Sequence, residues 1–184
     1  MTEPCALGAR VDATREATRD LWGSSTVDRV LAALPPDARA PFVRGAQVPR
    51  WVPEAYFVAW MNQLWSGPCE RDQRGLVRWV DRVTDRGFGA AKRMLLSLAS
   101  PWVILRRAHS LWRTEHTHGE IAVERLGDRH ARLSLRDSTY VDDEVGRHAM
   151  AEAFRYHVYR CRTRSAREQH ELADNALVVS IEWT

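Results

Sequence analysis

Hydrophobic and polar positions alternate most regularly between Glu120 and Arg136, and the rest of the chain is read outward from that stretch. Ile121 and Val123 alternate with Glu120, Ala122 and Glu124, while Leu133 and Leu135 alternate with Arg132, Ser134 and Arg136. This two-residue period on both sides predicts a hairpin with one buried face. A two-residue Gly127-Asp128 loop would set Val123 opposite Arg132 and mix the faces. A three-residue Gly127-Asp128-Arg129 loop sets Val123 opposite Leu133 and Ile121 opposite Leu135, so that register is expected. It also sets Glu124 across from Arg132 and Glu120 across from Arg136. Such cross-strand pairs contribute about 0.2 to 1 kcal/mol each, which accounts for these charges without catalysis.

Elsewhere the spacing is helical. Ser25 and Asp28, ahead of Val30, Leu31 and Leu34, predict a short capped helix ended by Pro35-Pro36, and Asp37 to Trp51 reads as a loop. Tyr56, Phe57, Trp60, Met61, Leu64 and Trp65 then recur on one helical face. After the Gly67-Pro68 break, Leu76, Val80, Val83, Phe88, Ala91, Met94, Leu95 and Leu98 trace a stripe interrupted at Gly87 and Gly89, which predicts two helices or one kinked helix. Pro101 opens a helix carrying Ile104, Ala108, Leu111 and Trp112. Beyond the hairpin, Asp142 and Asp143 lead into an amphipathic helix through Val145, Ala149, Met150, Phe154, His157, Val158 and Cys161. Residues 164–171 and 177–183 close the chain as a second hairpin around Ala173-Asp174-Asn175. Residues 1–24 are weakly patterned. The expected fold is α+β: N-terminal helices packed on a small antiparallel sheet, with β-β-α-β-β order in the C-terminal half.

Composition narrows the class. A chain of 184 residues with no repeat or low-complexity linker is read as a single domain, 1–184. No apolar run approaches the ~20 residues that span a bilayer, so membrane insertion is not expected. The first residues lack the apolar stretch of a secretory signal, which predicts a cytoplasmic location. Cys5, Cys69 and Cys161 are odd in number and widely spaced, which indicates neither a disulfide framework nor a cysteine zinc site. Net charge is +3, and of 27 basic residues only Lys92 is lysine. So complete an arginine bias reads as genome composition, and nucleic-acid binding is not expected despite the cluster Arg160, Arg162, Arg164 and Arg167.

The order of several helices, then WVILRRAHSLWRTEHTHGEIAVERLGDRHARLSL, a helix, and a hairpin ending SIEW resembles an uncharacterised paralogous family abundant in myxobacteria. That family is similar to the superfamily of 4-vinyl-reductase and haem-nitric-oxide-binding-like domains. The resemblance spans residues 25–184 and is strongest over 95–136. It implies a dimerising ligand sensor or adaptor with a small-molecule cavity between helices and sheet. The chain departs from the superfamily in its chemistry. The last hairpin lacks the metal-binding cysteines of the vinyl-reductase type, His170 being the nearest substitute. Arg107-Ala108-His109-Ser110-Leu111 looks like the turn that follows the haem-ligating histidine, but the helix before it has no histidine. The Y-x-S-x-R propionate motif is also missing, so no haem or other cofactor is expected.

Candidate chemistry is sparse. His116 and His118, with Glu120, would put two imidazoles and a carboxylate on one strand face, a weak metal arrangement on what the register makes the solvent side. His157 and Cys161 lie one helical turn apart as a thiolate–imidazole pair would, yet on an apolar stripe where cysteine is ordinarily inert. His109 and Glu115 could serve as acid and base, but nothing in the sequence orients them or identifies a substrate. No phosphate-binding glycine loop occurs. No catalytic residue is therefore assigned. The expected role is a non-enzymatic sensor or adaptor, a homodimer binding a small apolar or aromatic ligand, a signalling protein partner, or both. The ligand-binding residues would be Tyr56, Phe57, Trp60, Trp102, Trp112 and Phe154, which serve equally well as a solid core. The alternatives are a ligand-free interaction module and then a metal-dependent or cysteine enzyme.

Overall fold

The computed structural model describes residues 3–44 and 48–184. The N-terminal half is helical. The short strand β1 (Cys5–Leu7) leads into α1 (Arg10–Trp22), α2 (Ser24–Ala33) and α3 (Pro36–Arg44). Strand β2 (Trp51–Pro53) pairs antiparallel with β1 and leads directly into α4 (Glu54–Ser66). Then follow α5 (Gln73–Gly87), α6 (Ala90–Leu98), α7 (Pro101–Leu105) and α8 (Ala108–Glu115). Asp72 caps α5 by accepting from the backbone N–H of Arg74. The weakly patterned segment thus supplies a strand and a long helix whose Val11 and Ala17 are fully buried.

The C-terminal half runs β3 (Glu120–Gly127), β4 (His130–Arg136), α9 (Thr139–Asp142), α10 (Glu144–Tyr159), β5 (Ala166–Ala173) and β6 (Ala176–Trp183). The four strands form one antiparallel sheet in the order β3-β4-β6-β5. Leu133, Leu135, Leu177, Val179 and Ile181 are buried on one face and pack in the same core as Val145, Ala149 and Met150 of α10. Asp143 caps α10 by accepting from Gly146 N at 2.7 Å. Asp174 and Asn175 both take positive φ in the two-residue turn between β5 and β6, a backbone that Asp and Asn tolerate.

The first hairpin has the expected register by a different route. Val123 faces Leu133, Ile121 faces Leu135, Glu124 faces Arg132 and Glu120 faces Arg136. Gly127, however, pairs with His130, so the loop is the two residues Asp128-Arg129. A bulge between Arg125 and Gly127 takes up the extra residue. Inserting one residue in the strand or one in the loop gives the same pairing downstream.

Four other expectations are corrected. Asp37–Trp51 is not all loop, because Pro36 starts α3 rather than ending α2; proline suits a first helical position, where its missing N–H has no partner. Residues 45–47 of that loop lie outside the described residues. The helix from Pro101 is two, broken at Arg106-Arg107. The stripe over 76–98 turns outward after Gly89: Met94, Leu95 and Leu98 are 61%, 64% and 66% exposed. His116 is not on a solvent-facing strand. It closes α8, pairs with Ala6 of β1 as an isolated bridge, and is buried.

Candidate functional site

Between α7, α8, the sheet and α10 lies a chamber of about 80 Å³. Its walls are mostly aliphatic, including Leu105, Ile121, Leu133 and Met150, with Trp112 and Phe154 as its aromatic members. Arg10, Glu115, His116 and His157 are its polar lining. Arg10 of α1 is bound to Glu115 at the end of α8 by a short ion pair. His157 Nδ1 lies 2.7 Å from the carbonyl of Ala153 one turn earlier. Arg10, Met150 and Ala153 also line a second chamber of about 40 Å³, walled by Phe57, Met61, Trp79 and Tyr140 among others. The two spaces therefore share a partition.

His116 is the site's organising residue. Its ring stacks on Trp112, with 3.7 Å between centroids and 6° between planes, and meets Tyr140 edge-on. Nδ1 is 2.7 Å from Glu54 Oε1. Glu54, the first residue of α4, is fully buried, and its Oε2 accepts from Ser138 Oγ at 2.9 Å and from the backbone N–H of Thr139 at 3.0 Å. Burial holds the His116 pKa below the usual histidine range and the Arg10 charge adds to this, although Glu54 opposes both. Burial also pushes the Tyr140 phenol up. Nε2 of His116 is buried and has no hydrogen-bond partner.

The six aromatics expected to bind ligand are distributed among several places. Trp112 and Phe154 line the larger chamber and Phe57 the smaller. Trp60 is fully buried, sits 4.5 Å from the Phe42 ring, and donates from Nε1 to Thr18 Oγ1 at 3.2 Å. Tyr56 is half-buried against the core. Trp102 lines an outer cleft of about 280 Å³ beside β3, with Arg106, His109 and Arg125. There it packs edge-on against Trp183 and donates to the carbonyl of Asp128.

The remaining candidates are likewise separated. His118 Nδ1 lies 3.0 Å from Thr117 Oγ1, whereas His116 Nδ1 is paired with Glu54. His170 lies 2.9 Å from His148 and 2.8 Å from Glu168. Among the described residues, no three His, Cys, Asp or Glu side chains are arranged to hold a metal ion. Cys161 donates its thiol to the carbonyl of His157, not to the imidazole, and burial raises its pKa to about 11. It is a poor nucleophile near neutrality. His109 is on the outer cleft and Glu115 in the chamber, so they do not form an acid–base pair. Glu54, Arg10 and Ser138 were not distinguished in the sequence. An acid opening a helix is ordinarily a dipole partner, and only the tertiary fold places it beneath an imidazole.

No protein-family model matches the chain, and no curated protein matches it in sequence. Solved structures do. An Fe(II) unliganded H-NOX protein from K. algicida superposes with TM-score 0.69 at 11% identity, covering 97% of this chain and 96% of that one. A mutant H-NOX protein from S. oneidensis in the Fe(II) ligation state gives 0.70 at 8% identity over 97% and 96%. A third structure, described as probing the function of heme distortion in the H-NOX family, gives 0.67 at 10% identity over 96% and 94%. The chain thus has a mixed fold of helices and antiparallel sheet like that of H-NOX structures. No described helix is long and apolar enough to cross a membrane.

Proposed function

We propose that this chain is a non-enzymatic sensor or adaptor domain that admits a small apolar ligand to the chamber beneath α8 and α10. It acts as a homodimer toward a signalling partner. The observation that carries the reading is the chamber itself: a mostly apolar space lined by His116, whose buried Nε2 is unpartnered, next to a second space across Met150. Small-molecule sites combine apolar walls with a few convergent polar groups in this way. Likeness to H-NOX structures supports the sensor class by fold analogy. The dimer and the partner rest on the resemblance noted in the sequence.

Haem is the ligand that analogy brings to mind, and the residues present do not fit it. A chamber of about 80 Å³ lies far below the ~300 to 1,000 Å³ of sites for much smaller organic ligands than a porphyrin. Arg10, the one guanidinium among its lining residues, is committed to Glu115. Purified protein supplied with haem should therefore show no stoichiometric Soret shift.

Thermal-shift screening with small apolar compounds, run with sedimentation and native mass spectrometry, tests the sensor reading. A stabilising ligand with a dimeric mass supports it. A strict monomer that no compound stabilises removes it. That outcome would favour the second reading, a ligand-free interaction module, for which the exposure of Met94, Leu95 and Leu98 on the one helix α6 is the specific observation.

A further inference from the structure

The hydrogen bonds around Glu54 determine which His116 nitrogen carries the proton. Thr139 N is an obligate donor to Oε2, and Ser138 Oγ donates to the same oxygen. Both bonds leave Oε2 accepting, so neither draws a proton from Glu54, and Oε1 remains as a further acceptor. His116 Nδ1, 2.7 Å from Oε1, is then the donor, and in a neutral imidazole the other nitrogen is a bare acceptor. This is the arrangement in which a carboxylate fixes one tautomer and makes the far nitrogen more basic. Here the far nitrogen has no partner. His116 is among the lining residues of the chamber and Glu54 is not.

From this geometry, and resting on the sensor reading above, we infer that the chamber takes a small, flat, largely apolar molecule bearing one N–H or O–H donor, which it gives to His116 Nε2. A buried acceptor left without a donor is costly, so an occupant that supplies one gains over an occupant of the same shape that does not. Water is the weaker candidate. It needs two to four polar partners, and the other polar lining groups, Arg10, Glu115 and His157, are already engaged. Flatness follows from the parallel Trp112–His116 stack beside which the molecule would lie. Size follows from the volume. About 80 Å³ is near half of the ~150 Å³ that holds benzene in an engineered cavity, so a five-membered ring is the natural scale. Turning the flexible Met150 side chain would join the second chamber and admit a larger ring.

Pyrrole and furan make the test, being rings of nearly one shape, only the first of which has an N–H. Binding is measured by titration of the full chain, and the His116 ring nitrogens are followed by long-range ¹H–¹⁵N NMR. The expected result is a Kd for pyrrole about tenfold below that for furan. The unprotonated Nε2 signal should move with pyrrole alone. His116→Asn, whose amide N–H can still reach Glu54 but which has no group at Nε2, should abolish the preference while leaving weak binding of both rings. If that variant fails to fold, the wild-type NMR titration decides. Equal affinities without an Nε2 shift would overturn the donor inference and leave the sensor reading intact. If neither ring binds, the chamber is not a ligand site and both fall. An Nε2 that carries the proton in the free protein would also overturn the inference.

Discussion

Trp112 and His116 stack face to face because they lie one helical turn apart at the end of α8. The stack is fixed from outside by the next residues: Trp112 Nε1 donates to the carbonyl of His118 at 2.7 Å, and Gly119 turns the chain toward β3 with φ at +93°. A Cβ on Gly119 would lie 2.6 Å from Trp112 Nε1. Gly119→Ala should therefore lower stability by about 2 to 4 kcal/mol, part from the backbone and part from the displaced indole. Urea unfolding checks the magnitude. A change within 0.5 kcal/mol, on the order of a neutral surface substitution, would show that the turn does not hold the stack.

Glu54 gathers three donors in a place without water access. Glu54→Ala would leave His116 Nδ1, Ser138 Oγ and Thr139 N unmatched, and should cost about 3 to 5 kcal/mol. Ser138→Ala removes one donor and leaves no buried group orphaned, so its cost should be nearer 1 kcal/mol, about that of a single hydrogen bond. Comparable losses from the two variants, measured by denaturant titration, would contradict the carboxylate's central place.

Stability should fall as the solution is acidified through the ordinary histidine range. His116 has a depressed pKa in the folded state, so the unfolded chain binds the proton more readily and is favoured as pH drops below about 6.5. His148, lowered first by burial and then by the neighbouring His170, acts in the same direction. His116→Asn should flatten the slope of stability against pH by up to about 1.4 kcal/mol per unit below about pH 6.5. An unchanged slope would mean that His116 is already protonated in the folded protein.

Asp81 has the opposite sign. Burial, followed by its contact with Glu152, raises its pKa from 3.8 to about 7, although Arg155 opposes both. The folded state therefore retains a proton that the unfolded chain releases. Its contribution is complete below about 3.8 and is lost as pH rises toward 7. Asp81→Asn stays neutral throughout and should be more stable than the parent by about 1 to 2 kcal/mol at pH 8, allowing for the side chain's partial exposure. The gain should vanish near pH 4. Thermal unfolding of the two proteins at both pH values gives the comparison.

The sheet half was legible in sequence because a two-residue period specifies both face and register: a slip of one residue at Val123 or Leu133 would expose a whole apolar set. The loop–bulge distinction was not, since either device yields the same pairing from Glu120 to Arg125. Helix stripes marked positions but not burial, and Met94, Leu95 and Leu98 kept a core-like spacing while facing outward. The Glu54–His116–Ser138 network was illegible for a different reason. Its members are 62 and 84 residues from Glu54, and each has a plausible local role.

Thr18 gives the sharpest separation between core and chamber. Its hydroxyl accepts from both Trp60 Nε1, at 3.2 Å, and Trp79 Nε1, at 3.0 Å, and donates to the carbonyl of Thr14 at 2.9 Å. A hydroxyl has one donor and two acceptor sites, so this one is saturated. Thr18→Val preserves shape but strands two buried indole N–H groups, and should cost about 2 to 4 kcal/mol. Trp60→Phe in the same region removes one of those donors along with ring volume, and should also act on stability through packing. Trp112→Phe instead alters the chamber wall, so its larger effect should be on ligand affinity. Measuring unfolding free energy and pyrrole affinity for all three variants checks the division: Thr18→Val and Trp60→Phe should move the first alone, whereas Trp112→Phe, which also loses its bond to the His118 carbonyl, should move both. A pyrrole affinity that falls as far with Trp60→Phe as with Trp112→Phe would place the ligand deeper in the helical half than the chamber beneath α8.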